Sequence, residues 1–194
     1  MKEQVISALR ESADTKMQMA KESLDEIVQV SELITRALKS GKKVLIFGNG
    51  GSAADAQHIA AELVNRYMIN RKAYAAIALT TDSSILTSIA NDFNYNDIFS
   101  RQVEGLGNKG DVALGITTSG KSANVLKAFE VAKAMELKTV ALSGNSIGKL
   151  KKNVDHIIQV PSSSTQRIQE AHITVAHIIC ELVENSLVES DTSK

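Results

Sequence analysis

The sequence predicts an α/β fold: one doubly wound domain in which a five-stranded parallel sheet is flanked by helices on both faces. Three observations predict it. Five short runs are continuously apolar rather than alternating, as strands buried on both faces require. The segments between them carry apolar residues at helical spacing and are long enough to cross from one parallel strand to the next. The loops after the runs are rich in Gly, Ser, Thr and Asn, and in such sheets ligands bind beyond the carboxyl ends of the strands.

Each element has its own warrant. Residues from about Glu3 to Lys39 show helical periodicity, with Val5, Leu9 and Ala13, then Leu24, Ile27, Val28, Leu33, Ile34 and Leu38 as the apolar positions. Two amphipathic helices exceed what a small sheet needs for cover. Residues 1–40 are therefore expected to form an N-terminal helical oligomerisation segment, packed partly on another subunit, ahead of a domain spanning 41–194. "KVLIF" reads as the first buried strand, followed by a helix from about Ala53 to Met68. "YAAIALT" is the second strand, with helical stretches near Ser84 to Ala90 and Ile98 to Gly107. "DVALGIT" is the third, with a helix from Ala123 to Met135, and "TVALSG" is the fourth. "HIIQV" is the fifth, ended by Pro161, the only proline, before a long last helix from about Thr165 to Leu187.

Composition narrows the function classes. A chain of 194 residues fits one domain with a sizeable core. Its 22 basic and 22 acidic side chains cancel, which argues against nucleic acid as the main partner. One cysteine, Cys180, excludes an intrachain disulfide and suits a reducing compartment. The charge-interspersed start "MKEQVISALRESADTKMQMAKE" lacks the apolar region of a secretion signal, and no run approaches the roughly 20 apolar residues that cross a bilayer. The expectation is a soluble cytoplasmic protein with no membrane partner.

Two loops imitate nucleotide motifs. "GITTSGKS", Gly115 to Ser122, satisfies the P-loop pattern. Yet it follows the third strand, and no other strand ends in the Asp of a Walker B. "GNGGSA", Gly48 to Ala53, fits the dinucleotide fingerprint, but no acidic residue closes the second strand about 20 positions later. What survives is shared physics. Backbone N–H groups and hydroxyls at a helix start bind phosphate, unless Ser119 and Ser122 merely cap the helix. The glycines let a ligand approach the backbone closely.

His58 and Glu62, on the helix that leaves the first loop, are one turn apart and share a face. Ile59, Ala60, Ala61 and Leu63 are expected to form that helix's buried side. The last helix, "RIQEAHITVAHIICELVENSL", is apolar over much of its circumference, and Gln169 and His177 interrupt that surface. His156 and His172 read as structural. Two histidines, a glutamate and a glutamine make a zinc-type set of N and O ligands. Gln169 and His177 are roughly 12 Å apart along a helix axis. Either they lean together or ligands are pooled between subunits, so the site is expected at a subunit interface.

Taken together, "GNGGSAADAQHIAAEL", "NDFNYNDIFSRQVEGLG", "TTSGKSANV" and "RIQEAHITVAHIICELVE" resemble the sedoheptulose 7-phosphate isomerases (phosphoheptose isomerases) of the sugar-isomerase, or SIS, domain superfamily. The resemblance runs from about Gly41 nearly to the end of the chain. It implies a SIS domain, a homotetramer with active sites at subunit contacts, and conversion of D-sedoheptulose 7-phosphate to D-glycero-D-manno-heptose 7-phosphate. That is the first step toward the ADP-heptose of bacterial lipopolysaccharide cores. It implies one zinc ion per subunit, held by His58, Glu62, Gln169 and His177. Substrate contacts would come from Asn49, Gly50, Gly51, Asn91, Asp92, Thr117, Thr118, Ser119 and Ser122, with Glu62 and Gln169 serving both roles and Ser52 a further contact. For a cis-enediol route, Glu62 is the expected base and His177 the acid/base partner. Two positions depart from the pattern: Thr117 stands where Ser is usual, and Lys121 where Asn is frequent. The alternative is a non-catalytic SIS-domain relative that binds the replication initiator DnaA. That branch lacks the carboxylate and histidine that this sequence keeps at 62 and 177.

Overall fold

The computed structural model describes residues 1–192, with side chains described to residue 189. Two helices, α1 (Lys2–Glu22) and α2 (Leu24–Lys39), precede strand β1 (Val44–Gly48). Helix α3 (Gly51–Val64) crosses to β2 (Ala76–Ala78). After α4 (Ser83–Asp92), a 3-10 turn (Tyr95–Asp97) and α5 (Ser100–Leu106), the chain enters β3 (Val112–Thr117). Then come α6 (Ala123–Ala134), β4 (Lys138–Ser143), a 3-10 turn (Leu150–Lys152), β5 (His156–Gln159) and α7 (Thr165–Thr192). The five strands are parallel, in the order β2-β1-β3-β4-β5. This is the α/β architecture that the continuous apolar runs predict.

The strands are buried on both faces, and alternate residues feed two cores. Val44, Ile46, Val112, Leu114, Ile116, Val140, Leu142 and Ile158 face α2, α3 and α7. Leu45, Phe47, Ala113 and Ala141 face α5 and α6, where Phe47 packs on Phe99 and Phe129 with ring centroids 5.6 and 5.3 Å away. Helix α2 belongs to the first core through Ile27, Val30, Ile34 and Ala37. By contrast α1 buries only Thr15 and Met19, and leaves Val5, Ile6, Leu9 and Met17 exposed.

Two elements differ from the sequence expectation for identifiable reasons. Strand β2 keeps three residues of the seven in "YAAIALT", because it is an edge strand that pairs only with Val44–Ile46 of β1. Helix α3 stops at Val64 instead of reaching Met68: side chains described below take the carbonyls and amides that a longer helix would have used. On the same helix Ile59, Ala60 and Leu63 are buried, whereas Ala61 faces outward.

A candidate metal centre beside two uncapped helix starts

The sheet order places the topological switch between β1 and β3, since β2 lies to one side of β1 and the later strands to the other. The loops leaving those two central strands flank a crevice of the kind that binds ligands. After β1, Asn49 leads into Gly50, whose φ of 57° lies in the left-handed region where a side chain is strained. Gly51 opens α3, and there a Cβ would stand 2.5 Å from Nε2 of Gln169. Only glycine admits the Gln169 amide at this distance. After β3, Gly120 turns at φ 63° and its amide donates to Thr117 Oγ1 at 3.2 Å.

Neither helix start is closed by its cap residue, although in the first turn of α6 Asn124 Oδ1 accepts the N–H of Val125 at 2.9 Å. Gly50 caps α3 without a side chain to offer, and Ser122 occupies the cap position of α6 but makes no capping hydrogen bond. Its hydroxyl lies 3.2 Å from Thr117 Oγ1 instead. The capping role weighed for Ser122 is therefore not the one it plays. Ser119 Oγ accepts the N–H of Lys121 at 3.2 Å. The two loops are tied across the switch by a reciprocal amide pair, Asn49 Nδ2 to Asn124 Oδ1 at 2.9 Å and Asn124 Nδ2 to Asn49 Oδ1 at 2.8 Å. The hydroxyl of Tyr95 also donates to Asn49 Oδ1, at 3.2 Å. Ser52 is buried, and Asn91 and Asp92 sit exposed at the end of α4, bonded to each other at 2.8 Å.

Two turns along α3, three donors converge. His58 Nε2 lies 3.1 Å from Glu62 Oε1 and 3.4 Å from Nε2 of His177 on α7. The donor atoms of the three residues all lie within 4.8 Å of one another. The imidazole rings meet edge to face, with centroids 5.0 Å apart at 77°. Two ligands at 2.0–2.1 Å from a tetrahedral ion stand about 3.3 Å apart. Two of the three donor separations have that spacing, so this set fits a metal ion. The side chains of His58 and Glu62 are 45% and 23% exposed, which leaves the centre open to a ligand.

Gln169 is brought to the glycine loop rather than to the three donors: Gly51, over which its amide lies, precedes His58 by about 10 Å along the α3 axis. His156 is paired with Glu26 at 3.0 Å, away from the crevice. His172, 1% exposed, is held neutral; burial drives its pKa down to about 4, against an opposing pull from the Ser143 backbone. Cys180 is also buried, and desolvation, helped by the field of Glu62, pushes its thiol up to about 12, so it is not a nucleophile at neutral pH.

Sequence reasoning missed several neighbours of the centre. Tyr67 places its ring 5.8 Å from that of His177. One turn before His58, Asp55 has a buried Oδ2 without a hydrogen-bond partner; burial raises its pKa, opposed by His58. Arg71 and Glu184 form a buried ion pair at 2.9 Å. Glu184 carried a readable signal, because it interrupts the same apolar stripe as His177 seven residues later.

The SIS domain family matches residues 9–144. The phosphoheptose isomerase of Thermodesulfovibrio yellowstonii is 50% identical over 194 residues, covering 100% of this chain and 96% of that protein. This chain belongs to the phosphoheptose isomerase family of SIS domain proteins. Solved phosphoheptose isomerases agree in three dimensions. That from Neisseria gonorrhoeae superposes with a TM-score of 0.89 at 42% identity, covering 95% of this chain and 98% of the other. That from Francisella tularensis gives 0.91 at 36% identity, with 94% and 97% covered. These relatives lend no support to the replication-factor alternative. No helix among the described residues is long and apolar enough to cross a membrane.

Proposed function

We propose that this chain is an aldose–ketose isomerase that converts D-sedoheptulose 7-phosphate to D-glycero-D-manno-heptose 7-phosphate, the first step toward ADP-heptose and the lipopolysaccharide core. The observation that carries the reading is the convergence of His58, Glu62 and His177 beside the crevice formed by the Asn49–Gly51 and Thr117–Ser122 loops.

The reaction moves one proton between C1 and C2 and another between O1 and O2 through a cis-enediol. Glu62 is the base that takes and returns the carbon-bound proton: its carboxylate is partly exposed and hydrogen-bonds only His58 among the described residues. His177, across from it on α7, is the acid/base for the oxygens. The far end of the sugar is held by its phosphate at the uncapped start of α6, by Thr117, Thr118, Ser119 and Ser122, with Asn91 and Asp92 reaching from α4. The Asn49, Gly50, Gly51, Ser52 and Gln169 group contacts the sugar between these ends. Anchoring the phosphate orients C1 and C2 at Glu62, so that remote binding energy lowers the barrier.

One zinc ion per subunit would be held by His58, Glu62 and His177, with Gln169, which lies at Gly51 here, as the proposed fourth donor. When bound there it supplies a Lewis acid that polarises the substrate carbonyl. We further propose a cytoplasmic homotetramer with active sites at subunit contacts, residues 1–40 serving assembly and 41–194 forming the SIS domain. Support comes from the uncovered apolar residues of α1, from exposed Val64, Ile178 and Leu182 on the elements that carry the candidate metal centre, and from exposed Met68 on the loop after α3. The test is a coupled assay with purified protein and sedoheptulose 7-phosphate, with and without a chelator. Turnover that the chelator removes and zinc restores is expected; no turnover in the metal-loaded protein refutes the reading.

A further inference from the structure

Behind the three donors lies a second polar cluster that the chemistry above does not use. Glu184, on α7 beyond His177, is 2% exposed. Its carboxylate accepts the backbone N–H of Tyr67 at 2.9 Å, Met68 at 2.6 Å and Ile69 at 2.8 Å, and the Nε–H of Arg71 at 2.9 Å. The remaining donors of Arg71 close the carboxyl end of α3. Nη2 donates to the carbonyl of Glu62 at 2.9 Å; Nη1 donates to those of Leu63 at 2.9 Å, Lys72 at 3.0 Å and Asn65 at 3.3 Å. The guanidinium lies 4.0 Å over the ring of Tyr74. Burial works against the charge on Glu184, but its backbone donors and Arg71 outweigh it and hold the carboxyl below its usual range.

This geometry joins the two helices of the centre at the residues that matter. Glu184 belongs to the helix of His177, and Arg71 grips the peptide carbonyl of Glu62 itself. The intervening loop is pinned amide by amide, and it carries Tyr67 against the His177 ring. Apolar contacts between α3 and α7 would permit sliding. A planar guanidinium bonded to fixed carbonyls and a carboxylate does not, because its donors form a rigid fork. A buried ion pair is a weak source of stability compared with apolar packing, so its value lies in the arrangement it specifies.

We propose that Arg71 and Glu184 are positioning residues for the reacting pair: they fix the last turn of α3, and with it Glu62, against His177, and hold Tyr67 on the His177 imidazole. The proposal rests on the isomerase reading of Glu62 and His177. A misplacement of about 1 Å at reacting groups can cost 10²-fold in rate, so the pair acts on kcat while touching no substrate.

The test compares Arg71→Lys, which keeps the charge but loses the fork, with Glu184→Gln, which keeps the shape but loses the charge. Each should lower kcat for sedoheptulose 7-phosphate at least about tenfold, with KM within about twofold. The imidazole resonances of His58 and His177 should shift in metal-free, substrate-free protein. Tyr67→Leu, which leaves the ion pair intact, should displace the His177 resonance alone. Parental kcat and resonances in folded Arg71→Lys would overturn the proposal. So would an unmoved His177 resonance in Tyr67→Leu, which decides the matter even if both charge variants fail to fold. Turnover by the parent protein is measured alongside: its absence would refute the isomerase reading, while the resonances still judge the clamp.

Discussion

Glu62 and Glu184 lie on helices that pack against each other, yet their surroundings are opposites. Glu62 meets one histidine and is 23% exposed, whereas Glu184 meets three backbone amides and a guanidinium and is 2% exposed. A carboxylate whose lone pairs are all engaged is fixed in charge and place, and cannot exchange a proton with a ligand. One with free lone pairs at the mouth of a crevice can. The same residue type thus serves reactivity in one region and geometry in the other, and the hydrogen-bond inventory tells them apart.

The sharpest way to break this comparison is to make the same substitution twice. Glu62→Gln should lower kcat by 10²-fold or more, the range of general acid–base catalysis, with an unchanged melting temperature. Glu184→Gln should lower kcat less, about tenfold, but also destabilise by about 3 kcal/mol, because it strands Arg71 in a buried site. Thermal melts and turnover on both proteins decide it. Substantial isomerisation by Glu62→Gln would remove Glu62 as the base, and an unshifted melt together with parental kcat for Glu184→Gln would show the pair to be dispensable.

A comparison of the two histidines of α7 gives the next effect. His177 borders the crevice, while His172 is sealed against the carboxyl end of β4, with both ring nitrogens lacking partners of hydrogen-bonding geometry. Its folded pKa of about 4 lies below the ordinary 6.5. Between those values the unfolded chain binds a proton that the folded chain refuses, so stability falls as pH drops through this window. The loss reaches about 3 kcal/mol near pH 4. Urea melts at pH 7, 5.5 and 4 should show the decline, and His172→Leu should flatten it. A parallel decline in the variant would assign the effect to other groups.

How far the sequence reveals these contrasts depends on whether a signal is local. The strands were legible because burial on both faces writes a continuous apolar run, and the edge strand was overestimated because apolarity does not record how many neighbours a strand has. His58 and Glu62 could be paired from their spacing alone, and His177 could be singled out as a polar break in an apolar helix. Arg71 could not. Its partners are carbonyls at the end of α3 and a carboxylate 113 residues away, brought together by a chain reversal that no periodicity encodes. The same holds for Tyr95 reaching Asn49 and for Gln169 seated on Gly51.

The smallest effect separates two kinds of phosphate contact at the α6 start. The hydroxyls and amides there are held by Thr117, Ser122 and Gly120 in a fixed network, but Lys121 is exposed and contributes only a cation on a flexible stem. Such a charge acts through solvent and gains roughly 0.2–1 kcal/mol, which corresponds to a few-fold change in affinity at most. Lys121→Asn should therefore raise KM about two- to threefold and leave kcat alone. The difference should shrink as ionic strength rises, since screening weakens an exposed charge and not a buried hydrogen bond. A KM difference that persists at high salt would mean that Lys121 makes a direct, desolvated contact, and no difference at any salt would place it outside the phosphate's field.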